Sequence, residues 1–327
     1  MASLLLRQSG TDLMPDGTFM TSTTREEATW LVAKKIDAFT TAATEGNAAG
    51  VVECPDPLSD HQMLKMAREM NLSETVFVSP DPVGEAGHRL RFWTPTKEVP
   101  MCGHATVAAL HHLHETHPER PSFSEFRLST RVGPLVGRVR DGVAWTTMDS
   151  SSVLGAWGGA WGDLLQALGI AKEDIAEGAT PVAMGPDWPV ALEVRDVATL
   201  DRIRPDFALV ERLSEQGVDG LIVFAMEGTK QEHDWHQRCF APSWGIAEDP
   251  VTGTASARMA SLLLSQGRLA RPERGGTVKA KARQGDAMGR PGSVSVEIDI
   301  GPGGETLETR IGGPAVTSLE GRMRVPR

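Results

Sequence analysis

Tyrosine is absent from the 327 residues, so chemistry that needs a phenolic acid is excluded. Cysteine is scarce: Cys54, Cys102 and Cys239 are too few, and odd in number, for a disulfide framework, and they fit a reducing compartment. No apolar run approaches the ~18–20 residues needed to cross a bilayer. Near the N-terminus only Leu4-Leu5-Leu6 is apolar, too short for a secretory signal. Basic residues are in the minority, 33 against 43 acidic, for a net charge of −10. Phosphate backbones and anionic membranes call for the opposite balance. Dinucleotide-binding Gly-x-Gly-x-x-Gly, P-loop and Gly-x-Ser-x-Gly motifs do not occur. These absences predict a cytoplasmic protein with no nucleic-acid partner, no membrane partner and no cofactor.

What is present is ordinary in bulk and specific in detail. Hydrophobic residues make up 40% and charged residues 23%, as in soluble globular proteins, and the length suggests two domains. Residues 1–28 lack periodicity and read as an N-terminal extension. The remainder divides into a first domain over 29–150 and a second over 151–327, with the last strand packing back on the first. Ser59 is placed to cap a helix whose inner face is Met63, Met66, Ala67 and Met70. Thr75 to Val78 and Arg89 to Trp93 read as strands. Gly103 to His114 and Thr254 to Leu264 read as helices apolar almost all round, the pattern of buried helices. Turns are expected at Val132-Gly133-Pro134 and Asp141-Gly142, and a loop at Gly155 to Gly162. One apolar helix in each half among many short strands argues against a doubly wound parallel sheet.

Each apolar helix is preceded by the same turn. Glu98-Val99-Pro100-Met101-Cys102-Gly103-His104-Ala105 aligns with Glu248-Asp249-Pro250-Val251-Thr252-Gly253-Thr254-Ala255 at an offset of 150 residues, so Glu, Pro, Gly and Ala coincide. A repeat of this size predicts two similar halves facing each other. Glycine allows close approach to the backbone, and the first helical turn offers free N–H groups at the positive end of the helix dipole. Two such turns make a cradle for a substrate carboxylate.

These turns, together with Glu45-Gly46-Asn47-Ala48-Ala49-Gly50-Val51-Val52, Met70-Asn71-Leu72-Ser73-Glu74-Thr75, and Gln284-Gly285 with Met288-Gly289-Arg290-Pro291, resemble the PhzF (phenazine biosynthesis-like) family from about residue 30 onward. The resemblance implies an α+β, diaminopimelate-epimerase-like fold: two similar domains, each a mainly antiparallel barrel around a central helix, with the site between them. It implies a cofactor-independent isomerase, often a homodimer. Its catalytic residues fall on Glu74, His104 and Asp249. Asn47, Gly103, Ala105, Gly253, Thr254 and Ala255 are expected to line a small carboxylate substrate.

Taken alone, Glu74 could be a surface acid at a strand end. At the mouth of an apolar strand, desolvation would raise its pKa, which suits a group that takes and returns a proton. Cys102 is the ambiguous residue. Related two-cysteine racemases carry cysteine before the glycine in both turns, whereas here the second position is Thr252, and a hydroxyl is a poor proton carrier at neutral pH. A one-base isomerase is therefore preferred to an amino-acid epimerase or racemase using Cys102, with a catalytically silent binding protein on the same fold as a further alternative. His111, His112, His114 and His117 lack zincin spacing and read as a solvated helix end with no metal. His233 and His236 read as loop residues. Trp157, Trp161, Trp188 and Trp244 read as core or interface, with Trp244 placed to line the cleft.

Overall fold

The computed structural model describes residues 29–81, 87–117, 122–148, 155–185, 189–226 and 232–327. The extension expected over 1–28 lies outside them, as does Trp188. The first half runs β1 (Trp30–Ala38), β2 (Asn47–Glu53), α1 (Asp60–Met70), β3 (Glu74–Pro80), β4 (His88–Trp93), β5 (Glu98–Val99), α2 (Gly103–Glu115), β6 (Phe123–Thr130), β7 (Gly133–Arg140) and β8 (Val143–Thr147). The second runs β9 (Gly155–Ala156), α3 (Trp161–Leu168), β10 (Val182–Ala183), β11 (Val190–Glu193), α4 (Val197–Arg202), α5 (Phe207–Arg212), β12 (Leu221–Met226), β13 (Trp235–Ala241), β14 (Ile246–Asp249), α6 (Gly253–Ser265), β15 (Gly276–Gln284), β16 (Gly292–Ile300), β17 (Thr306–Gly313) and β18 (Ala315–Arg324).

Strand pairing repeats between the halves. β2 runs parallel to β3, β3 antiparallel to β4, and β4 antiparallel to β5 but parallel to β6, from which β7 and β8 continue antiparallel. In the same order, β11 runs parallel to β12, β12 antiparallel to β13, and β13 antiparallel to β14 but parallel to β15, followed by antiparallel β16 and β17. The halves are joined by two strand pairings: β18, the last strand of the second half, pairs with β1, and β17 pairs with β8, while β9 at the start of the second half pairs with β10.

Local sequence accounts for the helices. Ser59 and Gln62 form a reciprocal capping box on α1, and Asn71 closes it in the left-handed conformation. α2 and α6 bury residues on nearly every side, because each is wrapped by strands. Each buried Leu or Val there contributes ~1.5–3 kcal/mol. His112, expected to be solvated, is 1% exposed, since the wrapping continues to the end of α2. Burial lowers its pKa, with Lys34 acting in the same direction. The loop expected at 155–162 contains β9 and the start of α3. His236, expected in a loop, lies in β13, whose first residue Trp235 is fully buried. Trp157 packs against a core cluster, while Trp244 is 51% exposed. No helix among the described residues is long and apolar enough to cross a membrane.

Candidate active site

The two helix-start turns are held by matching frames. Glu98 accepts two hydrogen bonds from Arg91 of β4 at 2.7 and 2.8 Å, and Glu248 accepts two from Arg238 of β13 at 2.8 Å each. Each arginine also lies over an aromatic ring two residues on, Trp93 in one half and Phe240 in the other. The repeated glutamate therefore pins the short strand that carries each turn, a bidentate role of the kind that favours arginine. Four residues beyond the start of each turn's helix cap, Thr106 and Ser256 donate to the Cys102 and Thr252 carbonyls at 2.7 and 3.0 Å. A Cβ on Gly103 would meet Ile311 Cδ1 at 3.2 Å, and one on Gly253 would meet the same methyl at 2.4 Å. The space beside both glycines is thus filled by one β17 side chain. What the turns leave toward a ligand is their N–H groups, since neither cap side chain bonds its helix.

Around the first turn, Glu74 opens β3 and His104 stands in the first turn of α2. Their side chains, 13% and 8% exposed, approach to 3.5 Å between Glu74 Oε2 and His104 Nε2. Cys102 Sγ lies 3.3 Å from His104 Nδ1, and Ser73 Oγ lies 3.5 Å from Nε2. Burial pushes the Cys102 thiol well above its ordinary range, and the negative charges of Glu74 and Asp249 add to this. Cys54 and Cys239 are pushed up to about 12, also chiefly by burial. Donor atoms of Glu74, Cys102 and His104 lie within 4.8 Å of one another, close enough to share an ion, although a thiol held protonated works against it.

Around the second turn, Asp249 Oδ1 accepts from Asn47 Nδ2 at 2.9 Å and Oδ2 from the Thr252 hydroxyl at 2.5 Å. Asn47 Nδ2 also donates to the Val251 carbonyl at 2.8 Å. Desolvation raises the Asp249 pKa; His104 and the Thr252 hydrogen bond pull it down, and Glu74 pushes it up. Asp249 thus lies close enough to feel the charges of Glu74 and His104, although it comes from the other half. Asn47, at the start of β2, is buried and braces Asp249. Its approach depends on Gly46, whose φ of +58° and 2.2 Å clearance to the Ala38 carbonyl exclude a side chain. Arg290 grips the same loop, donating to the Glu45 and Gly46 carbonyls and to Asp37. The repeat alone did not point to Gln237 and Gln284, which support Thr252 from behind; Gln284 lay within a motif quoted for the resemblance, and Gln237 had no signal in the sequence, since β13 is buried at all but one position.

Known proteins resemble this chain in sequence and in fold. An uncharacterized isomerase of Clostridium acetobutylicum is 32% identical over 296 residues, 88% of this chain and 96% of that protein. A Bacillus anthracis phenazine biosynthesis protein of the PhzF family superposes with a TM-score of 0.80 at 24% identity, covering 90% of this chain and 99% of that one. A hydroxyproline epimerase from Agrobacterium vitis, solved with bound trans-4-hydroxy-L-proline, superposes with a TM-score of 0.54 at 14% identity, covering 90% and 93%. Fold and relatives together define an isomerase on a diaminopimelate-epimerase-like α+β fold. The model of the phenazine biosynthesis-like family, PhzC-PhzF, matches residues 36–321, and the chain belongs to that family.

Proposed function

We propose that this isomerase moves a proton within a small carboxylate-bearing substrate, with Glu74 taking the proton from carbon and returning it elsewhere on the same face. The observation that carries the reading is the 3.5 Å approach of Glu74 to His104, in a cluster completed by Asp249 from the other half. The substrate carboxylate sits against the first-turn N–H groups of α2 and α6, beside Gly103, Ala105, Gly253, Thr254 and Ala255, where both helix dipoles favour negative charge. Charge that develops as Glu74 removes the proton is stabilised by the same groups. His104 is in reach to share the proton with Glu74, and Asp249 orients the substrate from the opposite turn.

The Cys102–His104 contact at 3.3 Å favours a second reading, an amino-acid epimerase using Cys102. Two features weigh against it: the thiol is held protonated, and the matching position holds Thr252, whose hydroxyl is engaged by Asp249. The deciding measurement is deuterium wash-in from D2O into a panel of small carboxylic acids, followed by NMR. For an acid that exchanges, Glu74→Gln should slow wash-in by about 10²–10⁴-fold, while Cys102→Ser should retain most of it. Full wash-in by Glu74→Gln would sink the assignment, and loss confined to Cys102→Ser would establish the epimerase.

A further inference from the structure

Asp249 is braced by a chain of buried polar side chains that begins far behind the site. Trp235 Nε1 donates to Gln237 Oε1 at 2.7 Å. Gln237 Nε2 donates to Gln284 Oε1 at 2.9 Å and to Ser256 Oγ at 3.0 Å. Gln284 Oε1 also accepts the Thr252 backbone N–H at 3.0 Å. Its Nε2 donates to the Asp249 carbonyl at 2.7 Å and to Thr252 Oγ1 at 3.0 Å. Gln284 thus has two donations and two acceptances, its full capacity, and Trp235, Gln237 and Gln284 are at most 2% exposed.

The direction of each amide link is forced. Indole and backbone N–H groups only donate, and a carbonyl only accepts. Trp235 therefore fixes which end of the Gln237 amide is oxygen. The Thr252 N–H and the Asp249 carbonyl fix Gln284 in the same way, so neither amide has a flipped alternative. The Thr252 hydroxyl has one proton. Its oxygen accepts from Gln284, and its proton is donated to Asp249 Oδ2 at 2.5 Å. On the other side, the Val251 carbonyl fixes the Asn47 nitrogen, whose remaining proton reaches Asp249 Oδ1.

We propose that Trp235, Gln237, Gln284 and Thr252 form a one-way hydrogen-bond relay that holds Asp249 as a doubly accepting carboxylate, with Gln284 as the positioning residue. The inference rests on the reading of Asp249 as a member of the active site. The relay opposes the burial and the negative charge of Glu74, which favour the protonated acid; His104 from α2 acts with the relay. Cys102 at the start of α2 and Cys239 on β13 also face Asp249, and both thiols are held protonated by burial.

The test is a ¹³C NMR titration of the full chain labelled at aspartate side-chain carboxyls, with Asp249→Asn providing the assignment. It needs no turnover, so it can fail while the Glu74 wash-in result stands, and the reverse. Thr252→Val keeps the shape and deletes the donated proton; the Asp249 midpoint should rise by about one pKa unit, a tenfold change. Thr252→Ser keeps the donor and should titrate as wild type. Gln237→Leu removes the N–H donated to Gln284 Oε1 and should raise the midpoint by about half a unit, roughly threefold. An unmoved midpoint in Thr252→Val overturns the relay. So does a rise in Thr252→Ser as large as in Thr252→Val, which would reflect general loosening of the turn. A rise in Thr252→Val with none in Gln237→Leu overturns it as well, leaving an isolated Thr252–Asp249 bond.

Discussion

In the first turn Cys102 precedes the glycine and its thiol lies against His104; in the second Thr252 precedes it and its hydroxyl is tied to Asp249. Everything beneath these side chains is matched: a bidentate arginine on the glutamate, a hydroxyl on the carbonyl before the glycine, and one isoleucine beside both glycines. The comparison separates two kinds of repeated residue. Glu98 and Glu248 repeat because the frame needs them. Of the four positions that differ, Val99 against Asp249, Cys102 against Thr252 and His104 against Thr254 bear on the candidate site, while Met101 and Val251 pack in the core. Chemistry has diverged where the backbone has not, which suits a one-base isomerase better than a mechanism with equivalent groups on both sides.

The largest expected effect tests how equal the frames are. The Arg238–Glu248 side chains are 7% and 11% exposed, and those of Arg91–Glu98 are 25% and 9%. Arg91 has Asp60 as a second partner at 2.9 Å. Removing a carboxylate from the more buried pair strands a charge, so Glu248→Ala should cost about 3–4 kcal/mol. Glu98→Ala should cost about 1–2 kcal/mol, since solvent and Asp60 relieve Arg91. Urea unfolding of both variants measures the difference. A Glu98→Ala loss equal to or above that of Glu248→Ala would break the ranking.

A smaller asymmetry lies at the glycines. In Gly253→Ala the new methyl meets Ile311 Cδ1 at 2.4 Å and Phe39 Cζ at 3.2 Å, whereas in Gly103→Ala it meets Ile311 at 3.2 Å. Overpacking should make Gly253→Ala cost about 1–3 kcal/mol and Gly103→Ala less than about 1 kcal/mol. Thermal melts that reverse this order would show that Ile311 does not fill the space between the turns.

Local features were readable from the sequence and tertiary ones were not. The offset between the turns, the Ser59 cap and the two buried helices follow from short-range pattern, and the structure places each where expected. Ile311 could not be found this way, because nothing near it in sequence marks a residue that packs on two turns far away. Asn47 was assigned to substrate by resemblance alone; its contact with Asp249, 202 positions along the chain, exists only in the folded protein. Of the histidines at the end of α2, read together as a solvated end, His112 departs from that expectation because the strands wrapping α2 bury it, while His111, His114 and His117 are partly exposed. Trp235 and Gln237 were obscured by their polar neighbours, because Trp-His-Gln-Arg-Cys shows no apolar alternation and β13 buries all of its residues but His236.

The smallest predicted effect bears most directly on the cysteine. Only the thiolate is alkylated, and the Cys102 thiol is raised first by burial, then by the Glu74 charge, then more weakly by Asp249. Iodoacetamide at pH 7.5 should therefore modify Cys102 at least about tenfold more slowly than a free thiol, with the rate still climbing above pH 9. Cys54 and Cys239, raised to about 12, should stay silent over the same range. Glu74→Gln removes a neighbouring negative charge, so it lowers the thiol pKa and should speed alkylation about two- to fivefold at fixed pH. Asp249→Asn should speed it less. The sign matters more than the size: burial persists in both variants, so neither should restore free-thiol reactivity. Alkylation of wild-type Cys102 at the free-thiol rate, or slowed by Glu74→Gln, would mean that the first turn holds an activated thiolate paired with His104. The first turn would then carry nucleophile chemistry of its own, and the contrast with Thr252 would be one of mechanism rather than of packing.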